Sequence, residues 1–285
     1  MILIADSGST KTDWAVGPLK IHSTQGINPI HQSEDVILRV IRDELLPNIN
    51  ANEVRSVFFY GSGVRPELEP VMENILRDVF PQAETVEAHS DMLGAARSVC
   101  GRNEGIASIL GTGANSCLYD GNGIVANTPA LGYILGDEGS GAVLGRRFLN
   151  ALYKGALSKE MVSDFEAETG LTMAAVIDRV YRQPLANRFL ASLSEFIHRH
   201  LDNEAVRQIV ISNFVDFFQK NIVPYDRRDL PVSFVGSIAW HYQRVLREAA
   251  AAEGFAVGTI VKSPLDGLKV FHQIDNYESQ SCIND

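Results

Sequence analysis

Asp6 closes a short apolar run, Ile2 to Ala5, and opens a small, polar stretch, Ser7-Gly8-Ser9-Thr10-Lys11-Thr12, before apolar character returns at Trp14 to Val16. The pattern predicts a strand, a tight turn of small residues and a second strand, that is, a hairpin. Consecutive N–H groups in such a turn form a concave anion site, so the ligand class implied is a phosphate chain. Asp6, at the end of the first strand, is placed to hold a hydrated divalent cation beside it. Ser9, Thr10 and Thr12 offer hydroxyls and Lys11 a positive charge. About a hundred residues later the arrangement recurs: Ile106 to Leu110, then Gly111-Thr112-Gly113-Ala114-Asn115-Ser116, then Cys117 to Tyr119. A third glycine turn, Gly236-Ser237, follows the predicted strand Pro231 to Val235 and precedes a predicted helix from Ile238 to Glu253. A turn that exposes a helix start in this way can seat a nucleoside or ribose.

Four further residues have the chemistry of a polar substrate site. Asp91 lies where a strand around Val86 passes into a small-residue helix, Met92 to Val99, and there a carboxylate serves as cap, as catalytic group, or as both. Asn28 precedes a proline and is held extended, so its amide can meet a sugar hydroxyl or acetamido group, or simply belong to a loop. Asp137 and Glu138 are set among glycines in Leu131-Gly132-Tyr133-Ile134-Leu135-Gly136-Asp137-Glu138-Gly139-Ser140-Gly141, where close approach lets them bond ligand hydroxyls.

The elements that must position these residues alternate. A third strand is expected over Leu19 to Thr24, a helix over Glu34 to Leu46 stopped by Pro47, a strand over Val54 to Tyr60, and a helix opened by Pro66 and running to about Phe80. Strand and helix in alternation predict an α/β layer with parallel strands. A helix from Ala142 to Lys154, helices through residues 158–222, a strand near Phe255 to Val261 and a helix from Pro264 to about Ile274 complete the chain. The expected division is residues 1–104 and 105–285. The second part is enlarged by the helical insertion 158–222, and the last helix is allowed to pack back on the first part.

The 285 residues are 45% hydrophobic and 21% charged, a globular composition long enough for two domains. A net charge of -10 argues against nucleic acid or an anionic membrane surface as the main partner. The chain begins at once with a strand and carries no apolar run long enough to span a bilayer, so a cytoplasmic location is expected. Cys100, Cys117 and Cys282 are far apart, which supports neither a disulfide framework nor a zinc or iron–sulfur site. His198-x-His200 reads as a helix surface, and the apolar helices of the second half are compatible with a homodimer.

Asp6-x-Gly8-x-Thr10, Gly111-Thr112-Gly113 and Val235-Gly236-Ser237, in that order, resemble the first phosphate, second phosphate and adenosine motifs of the acetate and sugar kinase, heat-shock chaperone and actin superfamily. Within it, Gly136-Asp137-Glu138-Gly139-Ser140 and Ser90-Asp91 are similar to N-acetylglucosamine kinases and the wider BadF/BadG/BcrA/BcrD ATPase family. The resemblance implies two actin-like (ribonuclease H-like) α/β domains with an interdomain cleft for ATP and Mg²⁺. It implies phosphoryl transfer to an N-acetylated amino sugar, N-acetylglucosamine at its 6-hydroxyl first. The variants to set beside that are an N-acetylmuramic acid or glucosamine kinase, and an ATPase that activates a partner enzyme. By the same resemblance Asp91 is the base toward the sugar hydroxyl, Asp6 the magnesium-associated acid, and Asn28, Asp91 and Asp137 sugar contacts. Gly8, Ser9, Thr10, Lys11, Gly111, Thr112, Gly113, Gly236 and Ser237 are then nucleotide contacts. Asp91 at a helix start is expected to be ionised near neutrality, since the dipole favours the anion. The sequence departs from the pattern at Ser7 and Ser9, where glycines are common. It also has Leu131-Gly132-Tyr133 where animal enzymes show Trp-Gly-His, and it lacks the cysteine cluster of another bacterial sugar kinase group.

Overall fold

Ile2–Ser7 (β1) is apolar toward both sides, with Leu3, Ile4 and Ala5 inaccessible, so it must be covered on both faces. The computed structural model, which describes residues 1–8, 10–17 and 20–273, shows how. β1 pairs antiparallel with β2 (Lys11–Val16), which pairs with β3 (Lys20–Gln25). The chain continues through α1 (Glu34–Val40), β4 (Ser56–Gly61), α2 (Glu69–Val79), β5 (Thr85–Ser90) and α3 (Asp91–Cys100). The sheet order is β3-β2-β1-β4-β5, with β1, β4 and β5 parallel. Leu3, Ala5, Val57, Phe59, Val86 and Ala88 share one core with Ile37, Val40, Met72, Ile75 and Leu76 of α1 and α2. Ile2, Ile4, Ala15 and Tyr60 cluster instead with Leu265 and Leu268, from a helix far along the chain.

The second half repeats the plan. β6 (Glu104–Leu110), β7 (Ala114–Asp120) and β8 (Ile124–Ala126) are antiparallel neighbours. The helices α4 (Gly132–Leu135), α5 (Gly141–Tyr153), α6 (Lys159–Thr169), α7 (Met173–Tyr181), α8 (Ala186–Ser192), α9 (Ser194–Arg199) and α10 (Glu204–Phe217) follow. Then come β9 (Val232–Val235), α11 (Ser237–His241), α12 (Gln243–Ala252), β10 (Val257–Val261) and α13 (Leu265–Phe271). The order β10-β9-β6-β7-β8, with β6, β9 and β10 parallel, is the first sheet over again, so the recurrence of turn and strands in the sequence is a recurrence of topology. Phe148, Phe165, Phe196, Phe214, Phe217, Phe218 and Phe234 fill its core. The chain thus forms two compact units. One holds Met1–Asn103, Gly121–Gly123 and the described residues from Ser263 to Gln273, α13 included; the other holds Glu104–Asp120 and Ile124–Lys262.

Several expected boundaries move. Both sheets are mixed, because each hairpin folds its return strand antiparallel. The helix expected over Glu34 to Leu46 is α-helical only to Val40 and continues as a π-turn and a 3₁₀ turn containing Pro47. Pro66 lies in a turn, and α2 starts at Glu69 with Pro70 in its first turn, where a missing N–H costs nothing. Tyr242 splits the helix expected from Ile238 to Glu253. The end of the last expected helix at Ile274, and Cys282, lie outside the described residues. Among the described residues no helix is long and apolar enough to cross a membrane.

Candidate functional site

In the first unit the β1–β2 ladder runs on to Ser7↔Thr12, which sets Asp6 directly opposite Asp13. The two hydroxyls at the top face inward: Ser7 Oγ and Thr12 Oγ1 lie 2.6 Å apart, and both accept the Ile27 N–H, at 3.1 and 3.2 Å. Thr12 therefore does not serve a ligand as its residue type suggested; with Ser7 it fixes the segment that carries Asn28. Gly8 N–H closes the turn on Lys11 C=O at 3.0 Å, and the exposed Lys11 ammonium pairs with Asp13 at 2.7 Å. Thr10 is exposed beside it, and Ser9 lies outside the described residues.

Asp91 is the first residue of α3, while Ser90 is the cap, accepting the Leu93 N–H on Oγ at 3.2 Å. Gly94 lets α3 lie close on β4, since a Cβ there would meet the Tyr60 ring at 2.8 Å. Asp6 and Asp91 are near enough for their charges to repel. Burial first, then Asp91 and Asp13, push the Asp6 carboxyl up to about 7, with Lys11 opposing. Burial likewise raises Asp91, against the N–H groups of Met92 and Asp91 itself. The expected dominance of the helix dipole is thus reversed in direction: loss of water outweighs it.

Asn28 packs against Gly63, whose missing Cβ leaves the space that the amide fills. Its Oδ1 accepts the Ile30 N–H at 3.0 Å, so the amide nitrogen is the group left to offer outward. Ser62, in the same Gly61-Ser62-Gly63 turn, donates its N–H to Ser7 C=O at 2.8 Å, and its buried Oγ has no partner among the described residues. Sequence reasoning missed Asp13 and Ser62 as parts of this site: the glycine-bracketed serine carried a local signal, whereas Asp13 depends on strand pairing. The close packing of α3 was legible in its small residues, and Gly94 is where it occurs.

In the second unit the turn Gly111–Gly113 rests on α5: Gly141 N–H donates to Gly111 C=O at 2.9 Å and Ala142 N–H to Thr112 C=O at 3.2 Å. With its carbonyls used on that side, the Thr112 and Gly113 N–H groups donate to nothing among the described residues. Asp137, in left-handed conformation at φ 54°, brings its carboxylate within 3.1 Å of the position a Cβ on Gly113 would take, and it accepts the Ala114 N–H. Burial first, and then Glu138, raise it to about 6. Glu138 is held by Lys220 at 3.2 Å and Asn221 at 3.4 Å, so it supports the loop and does not offer itself to a ligand as expected. Gly236 sits against β6 at φ 121°, where a Cβ would meet Leu110 C=O at 2.3 Å. Gly111–Gly113, Asp137 and Gly236-Ser237 are therefore gathered at one end of this sheet.

Gly8 and Gly111, like Gly123, have no positive φ; a Cβ on Gly8 would make only an ordinary contact with Lys11 C=O at 3.7 Å, and one on Gly111 would meet nothing within 4 Å. The fold does not need glycine at these places, which leaves Gly8 and Gly111 room for a ligand to approach the backbone. Among the described residues no group of three or more His, Cys, Asp or Glu is disposed to hold a metal ion.

No protein-family profile and no curated protein matches the chain. Solved structures do. A protein from Porphyromonas gingivalis, named provisionally as an N-acetylglucosamine kinase, is 47% identical over 97% of this chain and 100% of its own, with a TM-score of 0.93. A second protein so named, from Chromobacterium violaceum, is 18% identical over 95% and 98%, with a TM-score of 0.71. The ethanolamine utilization protein EutJ from Carboxydothermus hydrogenoformans is 13% identical over 91% and 84%, with a TM-score of 0.52. The last two carry the fold alone, an actin-like α/β fold.

Proposed function

Because the chain belongs to the family of the Porphyromonas gingivalis protein, we propose that it transfers the terminal phosphoryl group of ATP to an N-acetylated amino sugar, N-acetylglucosamine at its 6-hydroxyl. The whole-length match to that relative carries the reading, and the motif series extends it to the BadF/BadG/BcrA/BcrD ATPase family. The residues fit the chemistry. Backbone N–H groups of both turns, Thr112 and Gly113 among them, hold phosphate oxygens where Gly8 and Gly111 leave room. Asp6 would supply one carboxylate toward a hydrated Mg²⁺. When bound, that ion neutralises charge developing on the transferred group. Asp91 orients the sugar hydroxyl and accepts its proton late; a carboxylate raised above its ordinary range is the better acceptor. Asn28 offers an amide N–H₂ and Asp137 a carboxylate to the sugar.

The test is ADP release against a panel of amino sugars, with phosphorus NMR of the product to identify the phosphorylated oxygen. Turnover strictly dependent on an N-acetylated hexosamine, giving a 6-phosphate, is the expected result. ATP hydrolysis indifferent to every sugar overturns the proposal.

A further inference from the structure

Tyr60 is inaccessible to solvent, yet its hydroxyl is shared by two helices of the first unit. Arg97 of α3 donates from Nη1 to Tyr60 Oη at 2.8 Å, and Nε2 of His272, the residue after α13, lies 2.8 Å from the same oxygen. A guanidinium only donates, so the phenol oxygen is the acceptor toward Arg97. The imidazole is held in its turn, stacked on Phe58 with ring centroids 3.7 Å apart. Burial first, then the Arg97 guanidinium, hold His272 down to about 4 against Glu87, so it is neutral at ordinary pH. Arg97 also lies 5.1 Å over the Phe271 ring and 3.8 Å from Glu87. Gly267 closes the joint between α13 and α3, because a Cβ there would meet Ser98 C=O at 2.3 Å.

The joint shares its helix and its sheet rung with the two buried acids. Gly94 rests on the Tyr60 ring and Arg97 reaches the Tyr60 hydroxyl, so one side chain fixes α3 at two points three residues apart. Asp91 lies three residues before Gly94 on the same helix. In the sheet, Tyr60 pairs directly with Asp6 on one side and with His89 on the other. A shift of α3 at Arg97 is carried to Asp91, about 9 Å along a rigid helix. Resting on the kinase reading above, we infer that Tyr60 is a positioning residue: its hydroxyl, through Arg97 and His272, sets Asp91 against the rung that carries Asp6 and makes the returning helix α13 part of that alignment.

The experiment is steady-state kinetics with ATP and the sugar turned over fastest in the panel above, on wild type, Tyr60→Phe, His272→Gln, His272→Leu and the double variant Tyr60→Phe/His272→Leu, with a melting temperature for each. Tyr60→Phe keeps the ring against Gly94 and removes the oxygen alone. Its kcat should fall roughly ten- to a hundredfold while KM for ATP and sugar stays within about twofold. His272→Leu should lower kcat in the same way and gives the reading if Tyr60→Phe does not fold. His272→Gln, whose amide both donates and accepts, should restore most of the loss seen in His272→Leu. The double variant should be little worse than the poorer single one, since both act through one oxygen. A lower melting temperature with kcat unchanged in both single variants, or losses that multiply in the double variant, overturns the positioning role and leaves the kinase reading standing. A wild type with no sugar-dependent turnover overturns both.

Discussion

Gly111→Ala separates what the fold requires from what a ligand requires. The added methyl meets no atom within 4 Å and the backbone is not in the left-handed region, so the folded protein accommodates it without strain. Alanine restricts the unfolded chain, which stabilises by about 0.4–1 kcal/mol and raises the melting temperature by about 1–4 °C. A phosphate seated on the turn pays the opposite way. Pushing it off one charge-assisted N–H bond loses about 1.5–3 kcal/mol, or roughly ten- to a hundredfold in affinity. Scanning calorimetry and ATP titration of the same preparation read both quantities. The expected signature is a protein slightly more stable and markedly weaker for ATP. An unchanged ATP affinity would remove this turn from the nucleotide site. A melting temperature lowered by several degrees would show that the glycine serves the fold after all.

Asp91→Asn should abolish phosphoryl transfer while ATP titration stays near wild type, and wild-type turnover in that variant would refute its assignment as base. Asp6, raised to about 7 from 3.8, binds a proton more readily folded than unfolded. Its stabilising contribution is present at low pH and is lost as pH rises through about 4 to 7, by up to about 1.4 kcal/mol per pH unit. Urea unfolding of Asp6→Asn across that range should show a shallower decline than wild type; parallel curves would contradict the burial argument. Gly94→Ala should lower kcat about ten- to a hundredfold with a smaller effect on ATP affinity, because the new methyl lifts α3 off Tyr60 and displaces Asp91. Steady-state kinetics that leave kcat intact would detach α3 packing from the chemistry.

The two hairpins were legible because an apolar run ending in small residues has few other structures open to it. Their extent was not, since Asp6, Ser7 and Lys11 are polar residues that stay in the ladder. Ser7 and Thr12 manage this by satisfying each other and Ile27, a contact across the chain that no local pattern carries. The end of α1 was misjudged for a related reason. Ile41 and Leu45 keep a helical apolar spacing while the backbone changes to a π-turn, and side-chain periodicity does not report which carbonyl an N–H selects. Asp137 was recognisable as an acid among glycines. Its place beside Gly113, and the diversion of its neighbour Glu138 to Lys220 and Asn221, follow from tertiary packing alone.

The return of α13 to the first unit bears on how the chain is made. The sheet face carrying Ile2 and Ile4, covered in part by α3, is completed by Leu265 and Leu268, whereas the second unit is built almost entirely from chain that precedes them. At roughly 5–20 residues per second, the first unit waits on the order of ten seconds on the ribosome with that face only partly covered. The oldest part of the polypeptide is thus the last to mature, and a chain released before residue 265 carries a greasy, unfinished sheet that chaperones and proteases will find.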